Sequence, residues 1–259
     1  MKHKARKRFG QNFLVDGAVI ARIVSAIAPQ PGERMVEIGP GQEALTAPLM
    51  AAGADLQVVE IDRDLAARLQ QRHPQLKVIN EDALRVDFTA LAAGADYRLV
   101  GNLPYNISTP LLFHLLSQQQ PPSDMHFMLQ KEVVERMHAL PGSKTYGRLS
   151  LMCQVYAEVT PLFPVPPTAF DPQPRVDSAI VRLVPRKEPL VPVALLASFD
   201  AVVRQAFSMR RKTLRNSLRQ LLHGEEIESA QLEPAVRPEQ VDLEGFVRLA
   251  KQLADRTGS

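Results

Sequence analysis

The sequence contains a single cysteine, Cys153, among its 259 residues. One cysteine cannot form an internal disulfide, which fits a reducing compartment, and it cannot build a thiolate metal site. The six histidines show no metal-ligand spacing either. These shortages predict a protein without disulfides and without a bound metal.

Long apolar runs are also missing. No run approaches the ~20 residues of a membrane helix, and the basic amino terminus passes into FGQNFLVD without the apolar stretch of a signal peptide. We therefore expect a cytoplasmic protein that does not enter a membrane. The apolar share of 45% and the charged share of 23% are ordinary for a globular chain that can bury a real core.

Negative charge is absent from two stretches of a chain whose net charge is only +3. No acidic residue precedes Asp16, and five Lys or Arg residues crowd the first eight positions. Residues 201–224 also contain no Asp or Glu, and this stretch carries a basic cluster: Arg204, Arg210, Arg211, Lys212, Arg215 and Arg219. Such clusters attract phosphates, although either could be a solvated face, and we expect Arg211, Lys212 and Arg215 to be the main contacts.

Short apolar runs alternate with helical patterns through the first half of the chain. The predicted strands are 35–38, 56–61, 76–79, 98–100 and 125–129, and the predicted helices are 18–28, 43–52, 63–72, 108–117 and 131–139. This alternation predicts parallel βαβ units in an open, doubly wound α/β sheet. Ligands of such sheets bind at the carboxyl ends of the strands.

The pattern changes after residue 147. A proline-rich stretch leads into the alternating run 176–184, which is typical of an antiparallel strand, and 185–192 reads as a linker. From Ala194 onward the sequence is helical, with breaks near residues 223 and 234–238. We predict a larger α/β domain over 1–188 and a small helical domain over 189–259.

Three predicted strands end in residues suited to a nucleoside. Gly39 and Gly41 follow the first strand and open a helix, so that the backbone can approach a ligand closely. Glu60 ends the second strand, where a carboxylate can accept both ribose hydroxyls, and Asp82 follows the third, where it can take the exocyclic amine of adenine. NAD and S-adenosylmethionine both fit this outline.

The stretch GNLPYN, residues 101–106, follows the fourth strand and separates the two cofactors. Hydride transfer has no use for it, whereas methylation of an amino group on a base does. The side-chain oxygen of Asn102 and the carbonyl oxygen of Leu103 could accept the two N–H groups of the adenine N6 and draw its lone pair out of conjugation. Tyr105 could stack on the base and aim the nitrogen at the methyl group.

A base that is methylated at N6 must leave the base stack, which costs free energy. Stacking on a second aromatic side chain, in addition to Tyr105, would offset part of that cost. Phe170 is our candidate, because the surrounding prolines stiffen its loop. The other interpretation is a core phenylalanine that seals the edge of the sheet.

Motifs along the whole chain carry a resemblance to one family. They are RKRFGQNFL (6–14), VEIGPG (36–41), VVEID (58–62), NEDAL (80–84), GNLPYNIST (101–109), MLQKEV (128–133), YGRLS (146–150), VPPTAFDPQPRVDSAIVRL (165–183) and RRKTLRNSL (210–218). Together they resemble the ribosomal RNA adenine dimethyltransferases, and within that family the small-subunit branch.

The resemblance implies a Rossmann-like methyltransferase domain over 1–188 with a helical RNA-binding domain behind it. It implies S-adenosylmethionine as methyl donor and N6,N6-dimethylation of two adjacent adenosines in a 3′-terminal hairpin of small-subunit (16S) ribosomal RNA. The implied partner is the small ribosomal subunit, and we expect a monomer. By the same resemblance Asn12 and Leu14 line the cofactor site with Gly39, Gly41, Glu60, Asp82 and Asn102.

One position departs from the family pattern. Relatives often continue the glycine loop as GPGxGxLT, whereas Glu43 stands here two residues after Gly41. We expect Glu43 in the first turn of a helix, where a negative charge suits the helix dipole.

Three other functions remain open. The sister branch dimethylates one adenosine of large-subunit RNA, but the RRKTLRNSL and PRVDSAIVRL motifs favour the small-subunit branch. A DNA adenine methyltransferase would carry a target-recognition insert, which the sequence lacks. An RNA-binding assembly factor that has lost catalysis would not need Glu60, Asp82, Asn102 and Tyr105.

Overall fold

The structure, a computed structural model, describes residues 11–104, 107–116, 118–209 and 211–258. These residues divide into two compact units, one within Met1–Val134 and Thr160–Pro185 and the other within Glu135–Val159 and Arg186–Ser259. The domain boundary that we predicted between residues 188 and 189 stays a prediction.

The strands are β1 (Phe13–Leu14), β2 (Arg34–Ile38), β3 (Asp55–Val59), β4 (Lys77–Ile79), β5 (Arg98–Asn102), β6 (Asp124–Gln130), β7 (Ala157–Val165), β8 (Phe170–Asp171) and β9 (Ser178–Pro185). The main sheet has the order β4-β3-β2-β5-β6-β9-β7. The strands from β2 to β6 pair in parallel, and β9 pairs antiparallel with β6. The doubly wound α/β sheet predicted from the sequence is confirmed, as is the antiparallel strand near its end.

The helices of the first half are α1 (Gly17–Ile27), α2 (Thr46–Ala51), α3 (Arg63–Arg72), α4 (Phe88–Ala92), α5 (Ser108–Leu116) and α6 (Lys131–His138). Apolar side chains drive their packing on the sheet: Ile23 and Ile27 of α1 and Leu49 of α2 are buried with Met35 of β2 in one core cluster. Because strands β2, β5 and β6 are largely buried, they read as near-continuous hydrophobic runs.

A two-stranded ribbon forms a second, smaller sheet. Strand β1 pairs antiparallel with β8, so that Phe13 lies opposite Asp171 and Leu14 opposite Phe170. The Val15 N–H extends the ribbon by donating to the Ala169 carbonyl oxygen at 2.9 Å. Strands of two residues carry no periodicity, and the sequence analysis therefore missed both.

The second unit holds helix α7 (Arg148–Tyr156) and the carboxyl-terminal helices α8 (Leu196–Ala206), α9 (Leu214–Ser217), α10 (Gly224–Ser229) and α11 (Leu243–Thr257). Helices α8 and α11 bury Phe199 and Phe246 completely. The breaks predicted near 223 and 234–238 fall between helices. No helix within the described residues is long and apolar enough to cross a membrane.

Candidate active site

A pocket opens in the first unit at the carboxyl ends of the parallel strands. Its empty volume, counted out to open solvent, is about 740 Å³. The lining comprises Gln11, Asn12, Phe13, Ile38, Gly39, Gly41, Val59, Glu60, Ile61, Glu81, Asp82, Ala83, Asn102, Leu103, Pro104 and Ile107. It thus brings together Asn12, Gly39, Gly41, Glu60 and Asp82 with the Asn102–Leu103 pair.

The glycine loop follows β2 and reaches the end of β3. Gly39 and Gly41 have φ values of 68° and 56°, a left-handed conformation that side chains disfavour. The Gly39 N–H donates to the Val59 carbonyl oxygen at 2.9 Å, and the Gly41 N–H donates to Glu60 Oε2 at 3.2 Å. A Cβ on Gly39 would lie 3.7 Å from the Asn102 carbonyl oxygen, an ordinary contact distance, so that the backbone conformation and not crowding favours glycine here.

Glu60 is part of a hydrogen-bond network within the protein. Its Oε1 accepts from the Asp62 N–H at 2.8 Å, while Oε2 accepts from Gly41, and the residue is 4% exposed. Burial raises the pKa of Glu60, and the hydrogen bonds from Asp62 and Gly41 counteract part of that rise. Since each carboxylate oxygen has two lone pairs, both can still accept from ribose hydroxyls.

The ends of β3 and β4 are tied together beside Glu60. Asn80 Nδ2 donates to the Glu60 carbonyl oxygen at 2.7 Å, and Asp82 Oδ1 accepts from the Leu84 N–H at 3.0 Å. Ile61, between the two acidic positions, is 45% exposed and lines the pocket. Ile61 thus adds an apolar surface to the pocket, which the sequence analysis missed, since one apolar residue after a strand carries no distinct signal.

Asn102 ends β5 with its side chain oriented by the amino-terminal segment. Its Nδ2 donates to the Asn12 carbonyl oxygen at 3.0 Å. The Leu103 N–H donates to the Met128 carbonyl oxygen at 3.2 Å, which fixes the next peptide. Within the part of the chain that the structure describes, no group donates to Asn102 Oδ1 or to the Leu103 carbonyl oxygen. Tyr105 lies outside the described residues.

Two other residues that we predicted for the site, Leu14 and Phe170, are buried in the protein core. Leu14 is 5% exposed and Phe170 is 3% exposed, and both belong to the core cluster. Neither lines the large pocket, although Leu14 lines a small neighbouring one with Glu37 and Gly41. The roles predicted for Leu14 in cofactor binding and for Phe170 in stacking stay predictions.

Glu43 corrects one detail of the sequence analysis. We expected it in the first turn of a helix, but α2 begins at Thr46 and Glu43 has a φ of 71° in the turn before it. The helix dipole therefore does not account for Glu43. Its carboxylate instead contacts Arg72 and His73 at the end of α3.

The predicted phosphate contacts lie in the second unit. Arg211 and Lys212 precede α9 and Arg215 lies within it, and all three residues are exposed. Arg210 and the basic residues before Gln11 lie outside the described residues. Among the residues that are described, no three His, Cys, Asp or Glu side chains gather where they could hold a metal ion.

The pocket has the chemical features that an adenosine needs. It offers buried carboxylate oxygens for ribose and an apolar face for a purine. Beside the glycine loop it also offers Asn102 Oδ1 and the Leu103 carbonyl oxygen, two acceptors to which no described group donates. Together with the doubly wound sheet, this site defines a methyltransferase that uses S-adenosylmethionine.

Comparison with known proteins gives the family. Residues 2–255 match the family described as ribosomal RNA adenine dimethylase, and the chain belongs to it. The chain is therefore an enzyme that transfers methyl groups from S-adenosylmethionine to adenine in ribosomal RNA.

The similar proteins cover the chain almost completely. The ribosomal RNA small subunit methyltransferase A of Pseudomonas aeruginosa is 54% identical over 262 residues, which span 100% of this chain and 98% of that protein. The protein of the same name from Xanthomonas campestris is 54% identical over 249 residues, covering 95% of each chain.

Two crystal structures are similar over most of their length. The 23S rRNA methyltransferase ErmE is 28% identical with a TM-score of 0.70 and covers 93% of this chain and 99% of its own. A dimethyladenosine transferase from Plasmodium falciparum, at 24% identity and a TM-score of 0.78, covers 95% of this chain and 98% of its own and shows the shared fold.

Proposed function

We propose that the substrate is the small-subunit (16S) ribosomal RNA, in which two adjacent adenosines of a 3′-terminal hairpin become N6,N6-dimethyladenosine. Relatives at 54% identity over the full length are named for the small subunit, whereas the large-subunit enzyme ErmE is 28% identical. The enzyme works as a monomer in the cytoplasm, where ribosomal subunits are assembled.

Glu60 and Asp82 bind the cofactor in this proposal, Glu60 through the ribose hydroxyls and Asp82 through the adenine amine. When bound, S-adenosylmethionine supplies an electrophilic methyl group on a sulfonium. Gly39 and Gly41 let the backbone approach the charged tail, and Asn12 closes the pocket from the side of β1. We assign Leu14 a supporting place beside Asn12.

Asn102 and Leu103 hold the acceptor nitrogen. The Asn102 Oδ1 and the Leu103 carbonyl oxygen accept the two N–H groups of N6, so that the nitrogen lone pair is turned out of the ring and toward the methyl group. As the N–C bond forms and the S–C bond of the sulfonium breaks, positive charge would develop on N6, where these two oxygens would stabilise it, and S-adenosylhomocysteine would be the leaving group. The product ammonium then loses a proton to water, and no side chain has to act as a general base.

The observation that carries this mechanism is the hydrogen bond from Asn102 Nδ2 to the Asn12 carbonyl oxygen. Because a carbonyl oxygen can only accept, the amide nitrogen must face Asn12, and Oδ1 is left for the substrate. In the proposal Tyr105 covers one face of the base and Phe170 the other, and Arg211, Lys212 and Arg215 bind the RNA phosphates.

The test is mass mapping of methylated adenosines in purified ribosomal subunits that have never been modified. We expect the enzyme and S-adenosylmethionine to give two adjacent dimethyladenosines in small-subunit RNA and none in large-subunit RNA. The Asn102→Ala protein serves as the control for contaminating activity. Methylation confined to large-subunit RNA would reject the proposed substrate and leave the family assignment intact.

A further inference from the structure

Glu43 holds a backbone conformation that its side chain does not favour. Its φ of 71° lies in the left-handed region, where glycine is the usual residue. The turn itself is tight, because the Glu43 N–H donates to the Pro40 carbonyl oxygen at 2.8 Å. A residue kept in this region needs surrounding contacts that determine its position.

The side chain supplies those contacts by reaching the end of α3. Oε1 accepts from Arg72 Nη1 at 2.6 Å, and Oε2 lies 2.8 Å from His73 Nε2. The Glu43 side chain is 11% exposed, against 66% for Arg72 and 22% for His73. Both oxygens of a largely buried carboxylate are thus satisfied, which is the condition under which such a group stabilises a fold.

The partner end of this contact is itself fixed. The His73 N–H donates to the Leu69 carbonyl oxygen at 2.8 Å at the end of α3, and the His73 carbonyl oxygen accepts from the Leu76 N–H at 3.0 Å. Because both the N–H and the carbonyl oxygen of His73 are hydrogen-bonded, the backbone that carries the imidazole is fixed in position.

The residues between Gly39 and Glu43 form the cofactor loop. The Gly41 N–H attaches this loop to the end of β3, where it meets Glu60 Oε2 at 3.2 Å. Glu43, two residues further on, attaches it to α3. Gly39 and Gly41 line the pocket, whereas Glu43 does not.

We propose that Glu43, Arg72 and His73 form a clamp that preorganises the cofactor loop, with Glu43 as a positioning residue that does not touch the cofactor. Glycine, the usual residue for this backbone conformation, would have no side chain to make such a contact. The clamp reduces the ordering that the loop must undergo on binding.

Four variants test the clamp. Glu43→Ala removes it and keeps the strained backbone, Glu43→Gly removes both, and the double variant Arg72→Ala/His73→Ala removes only the partners. Arg68→Ala, an exposed arginine on the same helix, is the matched control. The measurements are the dissociation constant of S-adenosylmethionine by calorimetry and hydrogen exchange of the Gly41 amide.

We expect Glu43→Gly and the double variant each to weaken cofactor binding by about fivefold or more and to speed exchange at Gly41 by about tenfold, since loop order is reduced in both. Arg68→Ala should stay within about twofold of the parent protein. Because glycine relieves the strain, Glu43→Gly stays testable even where Glu43→Ala does not fold.

Two results would overturn the clamp. Parent-like binding and exchange in both Glu43→Gly and the double variant would show that the ion pairs have no effect on the loop. Weakened binding in the Glu43 variants alone, with a parent-like double variant, would show that Arg72 and His73 are not needed.

Discussion

Asn102 Nδ2 donates to the main-chain carbonyl oxygen of Asn12 at 3.0 Å, across 90 positions of sequence. The amino-terminal segment thereby sets which atom of the Asn102 amide faces the pocket. Asn12 is itself held near the ribbon of β1 and β8, because Phe13 pairs with Asp171. The segment around Asn12 and the segment around Asn102 are far apart in sequence, but this hydrogen bond holds them together at the pocket.

The variant Asn102→Asp should lose activity although it keeps an acceptor of the same shape. A carboxylate has no N–H for Asn12, so one of its oxygens would face the carbonyl oxygen and be repelled. We expect the single-turnover methylation rate to fall by about 10²–10³-fold, as it does when a positioned electrostatic group is removed. Asn102→Ala, which removes donor and acceptor together, is the reference, and an Asp variant with the parent rate would show that the bond to Asn12 is dispensable.

Glu37 should make stability depend on pH. It is 2% exposed, its Oε2 accepts from Thr46 Oγ1 at 2.6 Å, and burial raises its pKa from 4.5 to about 8. Between these values the folded state holds a proton that the unfolded state releases, so this contribution is full below pH 4.5 and is lost as the pH rises to about 8.

The variant Glu37→Gln keeps an acceptor for Thr46 and cannot ionise. We expect the free energy of unfolding of the parent protein to fall relative to this variant by roughly 1.4 kcal/mol per pH unit at most, as the pH rises from about 5 to about 8. Urea unfolding of both proteins without cofactor measures the difference. Parallel curves over this range would mean that Glu37 ionises normally in the folded state.

Phe170 should contribute to stability, since it is 3% exposed and its backbone pairs with Leu14. Phe170→Ala should lower the free energy of unfolding by about 3–5 kcal/mol, as large-to-small core changes do. Phe170→Leu keeps most of the apolar volume and should cost less than about 1.5 kcal/mol. Thermal or urea unfolding of the two variants measures both values.

The leucine variant separates packing from stacking on the base. If Phe170 also stacks, Phe170→Leu should methylate at least about tenfold more slowly while its cofactor affinity stays the same. A leucine variant with the parent turnover would leave Phe170 as a core residue alone.

Arg211, Lys212 and Arg215 should determine how strongly salt weakens RNA binding. Removing all three charges should lower the slope of log K against log salt by about 0.7–0.9 for each phosphate that the protein no longer neutralises. Lys251→Ala, an exposed lysine on α11, serves as the control and should leave the slope unchanged. If the triple variant had the same slope as the parent protein, these three residues would not bind RNA and would only face solvent.

The parallel strands and their ends were predictable, because buried parallel strands read as apolar runs and the residues that follow them carry the chemistry; β7 (Ala157–Val165) was missed, since its prolines indicate a loop. The ribbon of β1 and β8 was not, since it depends on pairing between residues 13 and 171 and on no local pattern. The same holds for Glu43: its sequence neighbours indicate a helix start, and only the contact with α3 explains its backbone. Helix α7 was missed for a related reason, because it is buried along most of its length and shows little amphipathic alternation.

Strand β2 lies between β3 and β5, so the chain leaves it toward β3 and later crosses to β5 on the other side. The glycine loop, Glu60 and Asp82 follow strands on one side, and Asn102 follows the strand on the other. In the proposed mechanism the ribose and the adenine of the methyl donor are held at the ends of β3 and β4, whereas the nucleophilic nitrogen is held at the end of β5, on the opposite side of β2.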